Sequence, residues 1–219
     1  MKRVLFAIGA VLAISGFATQ AKAGLITFVG GDNAVTSLSQ MTNSLAAEAS
    51  WAAAVPGASV ITFETALPAG VSVSGGSITN DSGCGALCGF NTTAGGAYFY
   101  LVEGGTATFT FTTPINAFGM YITGLQTDLV PQETLTFNDG SSETINTPAS
   151  TGGGGAFVGF TDFGQSIVSV SYNATADVVS LDDVGYSSGA PSVPEPSYYI
   201  PLALLGVFAW ARRRGIRVS

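Results

Sequence analysis

Polar and apolar residues alternate along many short segments in the middle of this chain. In residues 106–111 every second residue is apolar, and residues 115–122 place Phe118, Met120 and Ile122 on one face. Alternation with a period of two predicts β-strands with one face buried and the other in water. The sequence Asn138-Asp139-Gly140-Ser141 predicts a hairpin turn with Ile145 on the return strand.

Glycine-rich segments separate about ten short strands of this kind. The predicted strands cover residues 25–29, 60–64, 71–79, 97–101, 106–111, 115–122, 135–137, 157–160, 167–172, 178–181 and 184–186. We expect glycines 30 and 31 to end the first strand, and glycines 104 and 105 to end the strand at 97–101. So many short strands predict a mostly β fold, a jelly-roll-like two-sheet sandwich with one N-terminal helix.

The helix is predicted between Asp32, as its N-cap, and about Ala54, where Pro56 and Gly57 stop it. Apolar residues at spacings of three and four form one stripe: Ala34, Leu38, Met41, Leu45, Ala49 and Ala52. Such a stripe is typical of a helix that packs on a sheet. Trp51 near its end is either a core residue, which we favour, or a platform for a sugar ring.

Both ends of the chain carry apolar runs beside basic residues. Lys2 and Arg3 precede residues 4–17, and Ala21-Lys22-Ala23 supplies small residues for cleavage, so residues 1–23 are predicted to be a secretory signal peptide. At the other end, the apolar residues 198–211 precede the basic tail 212–219. Fourteen helical residues reach about 21 Å, less than the roughly 30 Å of a bilayer core, so a permanent anchor is the less favoured alternative.

The order of the C-terminal features resembles the PEP-CTERM sorting signal of Gram-negative bacteria that make exopolysaccharide. The residues that carry the resemblance are Val193, Pro194, Glu195 and Pro196, followed by the short apolar helix and Arg212, Arg213 and Arg214. A similar tail is also named after ice-binding proteins. The resemblance implies that an exosortase-like membrane enzyme recognises the motif and removes the helix. It also implies a protein that is exported across the inner membrane, transiently anchored, and then left at the cell surface or in the matrix.

Charge narrows the function of the exported part, because all fourteen carboxylates of the chain and none of its seven Lys and Arg residues lie between residues 24 and 211. Nucleic acid binding, which needs basic residues, is thereby excluded. The chain has no histidine, so histidine-based zinc sites and Ser-His-Asp or Cys-His catalysis are excluded as well. Paired carboxylates, as in glycoside hydrolases, are the acid–base device that remains.

Cys84 and Cys88 are the two cysteines of the chain. An exported protein meets an oxidising environment, so we expect them to form a disulfide. A redox or metal role would need C-x-x-C spacing or further ligands. The expected role is therefore a staple within a glycine-rich loop.

Residues 59–186 resemble the lectin-like and carbohydrate-binding jelly rolls that often precede such a tail. The matching segments are residues 61–64, 108–122 and 157–186. In these folds a structural calcium commonly joins the first and last strands, which assigns Glu64 to the first position and Asp182 or Asp183 to the last. Calcium takes six to eight oxygen ligands. The alternative is that Asp182 and Asp183 form a solvated turn and that Glu64 is an edge residue.

The domain organisation that follows is a strand and helix at 24–57 packed on a sandwich at 58–186, a linker at 187–192 and the sorting signal at 193–219. The favoured function is that of a non-catalytic surface or matrix protein, with neutral exopolysaccharide as the candidate ligand. Tyr98, Tyr100 and Tyr121 are candidate stacking platforms, with burial in the core as the alternative.

Two other functions stay open. One is a glycoside hydrolase that uses paired carboxylates. The other is adsorption to ice or mineral through the threonine row Thr106, Thr108, Thr110 and Thr112. Flat adsorption needs several aligned ranks of such residues, so an ordinary wet strand face is the favoured interpretation of this row.

Overall fold

The computed structural model describes residues 24–126, 132–137, 140–148 and 150–189. They lie within one compact unit, residues 23–192. The predicted signal peptide and sorting signal lie outside the described residues. Within the ranges described, no helix combines the length and apolar character that crossing a membrane requires.

The described part of the chain contains one α-helix, ten β-strands and two short 3₁₀ turns. The helix α1 spans Thr42–Ala54, and the 3₁₀ turns span Leu38–Gln40 and Gly85–Cys88. The strands are β1 Ile26–Asp32, β2 Ser59–Ile61, β3 Val71–Ser74, β4 Ser77–Thr79, β5 Phe99–Ile115, β6 Ala117–Leu125, β7 Gln132–Phe137, β8 Ser142–Asn146, β9 Gly154–Thr161 and β10 Ile167–Ser187.

The strands form two layers, and the two long strands β5 and β10 run through both layers and connect them. The first half of β10 lies between β5 and β7, whereas its second half pairs with β6 on one side and with β2 and the start of β5 on the other. One layer therefore has the order β1-β9-β6-β10, and the other has the order β8-β7-β10-β5-β3. All pairs are antiparallel.

The layers face each other across an aromatic core. Phe109 of β5 packs against Phe118 of β6 with ring centroids 5.5 Å apart, although these two strands are not hydrogen-bonded neighbours. Phe160 of β9 stacks on the other side of Phe118 at 6.1 Å. The predicted two-sheet sandwich is therefore confirmed, with hydrogen bonds that run continuously from one sheet into the other.

The prediction of separate strands at 97–101 and 106–111 was wrong, because β5 continues through both. Glycines 104 and 105 have φ values of 75° and 75°, and the register with β10 shifts beside them. Such an irregularity bends a strand and increases its twist without ending it. The predicted strands at 167–172, 178–181 and 184–186 likewise belong to β10.

The helix α1 covers the outer face of the first layer. Consequently every residue of β6 and β9 is buried, since one face meets the other layer and the opposite face meets the helix or loops. Phe118, Met120 and Ile122 belong to the core between the layers, as predicted, and Ala117 and Tyr121 belong to the core under the helix.

The helix begins at Thr42, nine residues later than an N-cap at Asp32 predicts. Asp32 ends β1 instead of preceding the helix, and glycines 30 and 31 lie inside β1. The Asp32 carboxylate nevertheless caps the helix from the end of β1. It accepts hydrogen bonds from the backbone N–H of Asn43 at 3.0 Å and of Ser44 at 2.9 Å. Burial opposes the ionised form, but the bonds from Ser44 and Asn43 hold the pKa of Asp32 below its usual range.

The buried stripe of the helical segment also differs from the predicted one. Four of its predicted members, Leu38, Met41, Leu45 and Ala52, do pack in the core under the helix, whereas Ala34 and Ala49 are exposed. Ser44 and Trp51 are buried although the stripe did not include them. Ala34 precedes the helix and therefore does not share its periodicity. The strand predicted at 60–64 ends at Ile61.

Candidate functional site

The segment between β4 and β5, residues 80–98, lies over the outer face of the first layer. The Thr123 hydroxyl accepts a hydrogen bond from the Phe90 N–H at 2.8 Å and donates one to the Phe90 carbonyl at 2.9 Å. The Cys84–Cys88 disulfide is present, with the two Cα atoms 5.6 Å apart, which confirms the predicted pairing. These contacts fasten the first half of the segment to the sheet.

Two aspartates near the end of β10 hold the next part of this segment. The carboxylate of Asp182 accepts hydrogen bonds from the backbone N–H of Thr92 at 2.7 Å and of Thr93 at 3.1 Å. The Asp183 carboxylate accepts from the hydroxyls of the same two threonines, at 2.8 and 2.7 Å.

Glu64 holds the far end of the loop. Its Oε1 atom accepts hydrogen bonds from the backbone N–H of Ala97 and of Tyr98, both at 2.7 Å. The amide of Asn91 donates to the same oxygen at 3.1 Å and to the Tyr98 carbonyl at 2.6 Å. A side chain at Gly96 would meet this carboxylate, since a Cβ there would lie 2.4 Å from Oε1.

The three residues predicted to bind calcium thus contact one loop through its hydrogen-bond donors. Among the residues that the structure describes, no three Asp, Glu, His or Cys side chains come together as a metal-binding group. The carboxylates of Glu64, Asp182 and Asp183 accept hydrogen bonds from protein N–H and O–H groups. Calcium binding stays a prediction.

Asp182 is in an unusual electrostatic environment. It is 1% exposed, and no Lys, Arg or His lies between residues 24 and 211. Burial and the neighbouring Asp183 raise the pKa of Asp182 to about 7, against the opposing effect of the Thr92 and Thr93 N–H groups. Burial and Asp183 likewise raise the pKa of Glu48 on α1.

The loop forms one wall of an open cleft of about 310 Å³. The half-buried Phe90 and several polar groups line it together. The lining residues are Thr36, Asn80, Asp81, Ser82, Gly85, Ala86, Gly89, Phe90, Asn91, Ala97 and Phe99.

Several polar groups in the cleft are already engaged within the protein. The Ser82 hydroxyl donates to the Gly85 carbonyl at 2.8 Å, and one Asp81 oxygen accepts the Gly83 N–H at 2.9 Å. By contrast, the Asn80 amide is exposed and makes no hydrogen bond to any other described residue. A ligand in the cleft would therefore meet Asn80 as donor and acceptor, with the half-buried Phe90 also in the lining, whereas Phe99 is 4% exposed.

The predicted aromatic platforms separate into buried and exposed ones. Tyr100 and Tyr121 are 3% and 4% exposed, so both belong to the core, which was the alternative interpretation. Tyr98 is 43% exposed and lies between the cleft residues Ala97 and Phe99 in the chain. Trp51 is a core residue, as favoured, and its Nε1 donates to the Phe160 carbonyl at 3.1 Å.

Sequence reasoning did not identify Asn80, Asp81, Phe90 or Asn91 as cleft residues. Their one local signal is that polar and aromatic residues flank the glycine-rich disulfide loop. The partners that shape the cleft, such as Thr123 and Asp182, are far away in the chain. Asp81 is the one carboxylate among the described residues that line the cleft, whereas hydrolysis by paired carboxylates needs two.

No protein-family model matches this chain, and no curated protein matches it. Among solved structures, a family 29 carbohydrate-binding module is 10% identical, with a TM-score of 0.40, over 64% of this chain and 95% of the module. The family 11 module of the cellulase Lic26A-Cel5E from Clostridium thermocellum is 10% identical, with a TM-score of 0.34, over 63% and 98%. CpGH89CBM32-6 of Clostridium perfringens is 11% identical, with a TM-score of 0.35, over 59% and 100%. Similarity at these levels assigns neither a family nor a ligand to this chain.

Proposed function

We propose that this chain is a non-catalytic exported protein that binds a neutral glycan in the cleft beside the disulfide loop. The observation that carries the proposal is that the exposed Asn80 amide and the half-buried side chain of Phe90 line one open cleft. Sugars combine apolar ring faces with hydroxyl groups, so they are suited by an apolar surface with a few oriented polar groups.

Charge supports a neutral rather than an acidic glycan. The domain has no Lys, Arg or His with which to bind a carboxylate or sulfate, and Asp81 stands in the cleft itself. An acidic polysaccharide would therefore be repelled both by the domain as a whole and by the site. Neutral exopolysaccharide is the proposed partner.

The test is titration of the secreted protein with neutral oligosaccharides chosen from a glycan array. Asn80→Ala should weaken binding roughly two- to tenfold, the effect of one lost hydrogen bond. The matched control is Thr65→Ala, which truncates an exposed polar side chain outside the cleft. Equal affinities of wild type and Asn80→Ala would refute this site, and release of reducing sugar during titration would favour the hydrolase.

The proposed sorting step has its own test. We propose that an exosortase-like enzyme cuts the chain near Pro194-Glu195-Pro196, so that the mature protein lacks Trp210 and the three arginines. Mass spectrometry of the surface protein from its host should find no peptide that ends at Ser219. Replacing Glu195 should leave the uncut form in the membrane. Recovery of the Ser219 peptide from the mature pool would identify a plain anchor instead.

We also retain structural calcium as a proposal for Asp182 and Asp183. The support is that these adjacent carboxylates have no Lys, Arg or His within the exported domain to neutralise them. Calcium that binds the folded state should raise the melting temperature, and Asp183→Asn should reduce the rise. Identical melting curves in chelator and in excess calcium would exclude the metal.

A further inference from the structure

The outer face of the second layer is covered with hydroxyl and amide side chains. Along β5 the inward residues Ala107, Phe109 and Phe111 are buried, so the threonines between them point outward. The same alternation along β3, β8 and β10 places uncharged polar residues outward. The resulting hydroxyl face consists of Ser72, Ser74, Thr106, Thr108, Thr110, Thr112, Ser142, Thr144, Asn146, Ser169, Ser171 and Asn173.

The strand register aligns these residues in ranks across the sheet. Ser74 of β3 pairs with Thr108 of β5, which in turn pairs with Ser171 of β10. The hydroxyls of Thr108 and Ser171 are 2.9 Å apart and hydrogen-bonded.

A parallel rank contains Ser72, Thr110 and Ser169. At the backbone level, β7 continues both ranks to β8, where Thr144 and Ser142 stand. The single threonine row seen in the sequence is thus one line of a two-dimensional array.

The array has no charged member and no aromatic member among its described residues. Its repeats are about 4.8 Å between strands and about 6.8 Å along them. A surface of this kind offers many similar, weak hydrogen-bonding positions and no platform on which a single sugar ring would stack. Each hydrogen bond to a ligand replaces a hydrogen bond to water and so contributes little binding free energy by itself. Binding therefore requires many such hydrogen bonds along an extended ligand.

The hydroxyl face and the cleft lie on opposite sides of the sandwich. The cleft segment is fastened to Thr123, which shares the outward side of β6 with Tyr121 under the helix. Phe118 on the opposite side of β6 meets Phe109 of the second layer, whose outward neighbours form the hydroxyl face. Two ligands bound at the two sites would therefore be held apart by the full thickness of the domain.

We propose that the hydroxyl face binds an extended neutral polysaccharide. One protein molecule thereby links this polysaccharide to the glycan held in the cleft. The linking part rests on the proposed function of the cleft, whereas binding at the hydroxyl face stands by itself. An uncharged array of donors and acceptors complements an uncharged polyhydroxyl polymer.

Sheet twist favours a polymer over a crystal plane. Neighbouring strands rotate by about 20–25° relative to one another, so five strands do not present one plane. A flexible chain follows this twist, but the surface of an ice crystal does not. A calcium mineral would require carboxylate ligands, which the hydroxyl face lacks among its described members.

The test uses the secreted protein with cellulose, starch granules and soluble galactomannan as probes. Wild type should be depleted from solution by at least one of the three, with tighter apparent binding to polymer than to the matching short oligosaccharide. The triple variant Thr106→Val, Thr108→Val, Thr110→Val removes three hydroxyls and keeps the β-branched shape, and it should bind polymer at least tenfold more weakly. Thr27→Val on the exposed part of β1 is the matched control and should bind as wild type does.

Linking is measured as the rise in viscosity of the soluble polymer. The triple variant should abolish the rise and Asn80→Ala should reduce it, while each variant keeps the binding of its unaltered site. Wild type that is depleted by polymer but binds no oligosaccharide would refute the cleft and support the hydroxyl face. Unchanged polymer depletion by the triple variant would overturn the proposal, as would binding to none of the probes. Thermal hysteresis that disappears in the triple variant would overturn it in favour of ice.

Discussion

The packing of Trp51 against glycine provides the sharpest test of the fold. Three glycines stand side by side on neighbouring strands, because Gly185 pairs with Gly119 and Gly119 pairs with Gly159. The indole lies over this row, and a Cβ at Gly185 would be 2.5 Å from its Cη2 atom and 2.7 Å from Cζ3. We predict that Gly185→Ala destabilises the domain by displacing Trp51.

The size of the effect follows from how little Trp51 can move. It is 4% exposed, and its Nε1 is tied to the Phe160 carbonyl at 3.1 Å. Overpacking of a well-filled core costs about 1–3 kcal/mol, whereas loss of a buried Trp side chain costs about 3–5 kcal/mol. The clash involves a rigid ring rather than a flexible chain end, so we expect about 2–3 kcal/mol for Gly185→Ala. For a domain of this size that corresponds to a fall in melting temperature of roughly 4–12 °C.

Calorimetry of wild type, Gly185→Ala, Trp51→Phe and the double variant measures the effect and its cause. Phe is shorter than Trp, so the alanine should cost less in the Trp51→Phe background, with a coupling of about 0.5–3 kcal/mol. Gly24→Ala, whose added methyl group meets nothing within 4 Å, is the control and should melt as wild type does. Strict additivity, or a Gly185→Ala variant that melts within about a degree of wild type, would refute the packing argument.

Two further predictions concern buried carboxylates and have opposite pH dependence. Burial and Asp183 raise the pKa of Asp182 in the folded state to about 7, above its ordinary 3.8. The contribution of Asp182 to the free energy of unfolding is therefore complete at low pH and is lost as pH rises toward 7. Measured by urea unfolding, the stability of Asp182→Asn relative to wild type should therefore rise by up to about 4 kcal/mol between roughly pH 4 and pH 8. A stability difference that does not change with pH would contradict the raised pKa. Asp32 has a lowered pKa because Ser44 and Asn43 donate to it, so its contribution is present at neutral pH and is lost as pH falls through the folded pKa. Asp32→Ala should cost about 1–2 kcal/mol at pH 7 and less in acid, and an equal cost at both would show that the cap acts without its charge.

Local patterns were enough to predict where most strand residues lie and which faces point inward, but not that β5 and β10 are continuous. The hairpin between β7 and β8, the Cys84–Cys88 disulfide and the burial of Phe118 follow from residues within one turn or one strand. Turn chemistry and period-two alternation are properties of neighbouring residues, so they can be read from the sequence alone.

The candidate site could not be predicted in the same way. The loop that lines the cleft is held by hydrogen bonds between Thr92 and Asp182, which are 90 residues apart in the chain. Glu64 and Asp182 were identified as acidic residues that act together, but the sequence could not show that both accept hydrogen bonds from the backbone N–H groups of one loop. A carboxylate can accept a hydrogen bond or bind a cation, and the choice depends on which donors the fold brings to it.

The sequence by itself determined the mostly β architecture, the net negative charge of residues 24–211 and the alternation of each strand, because these depend on composition and local period. Only the tertiary structure decided that Tyr121 is buried under the helix and that Trp51 lies over three glycines. It also decided that the threonine row along β5 is one line of a two-dimensional array. Alternation separates the two faces of a strand, but it does not reveal what covers each face. That depends on strand register and on contacts between distant segments, where packing rather than local preference sets the free energy.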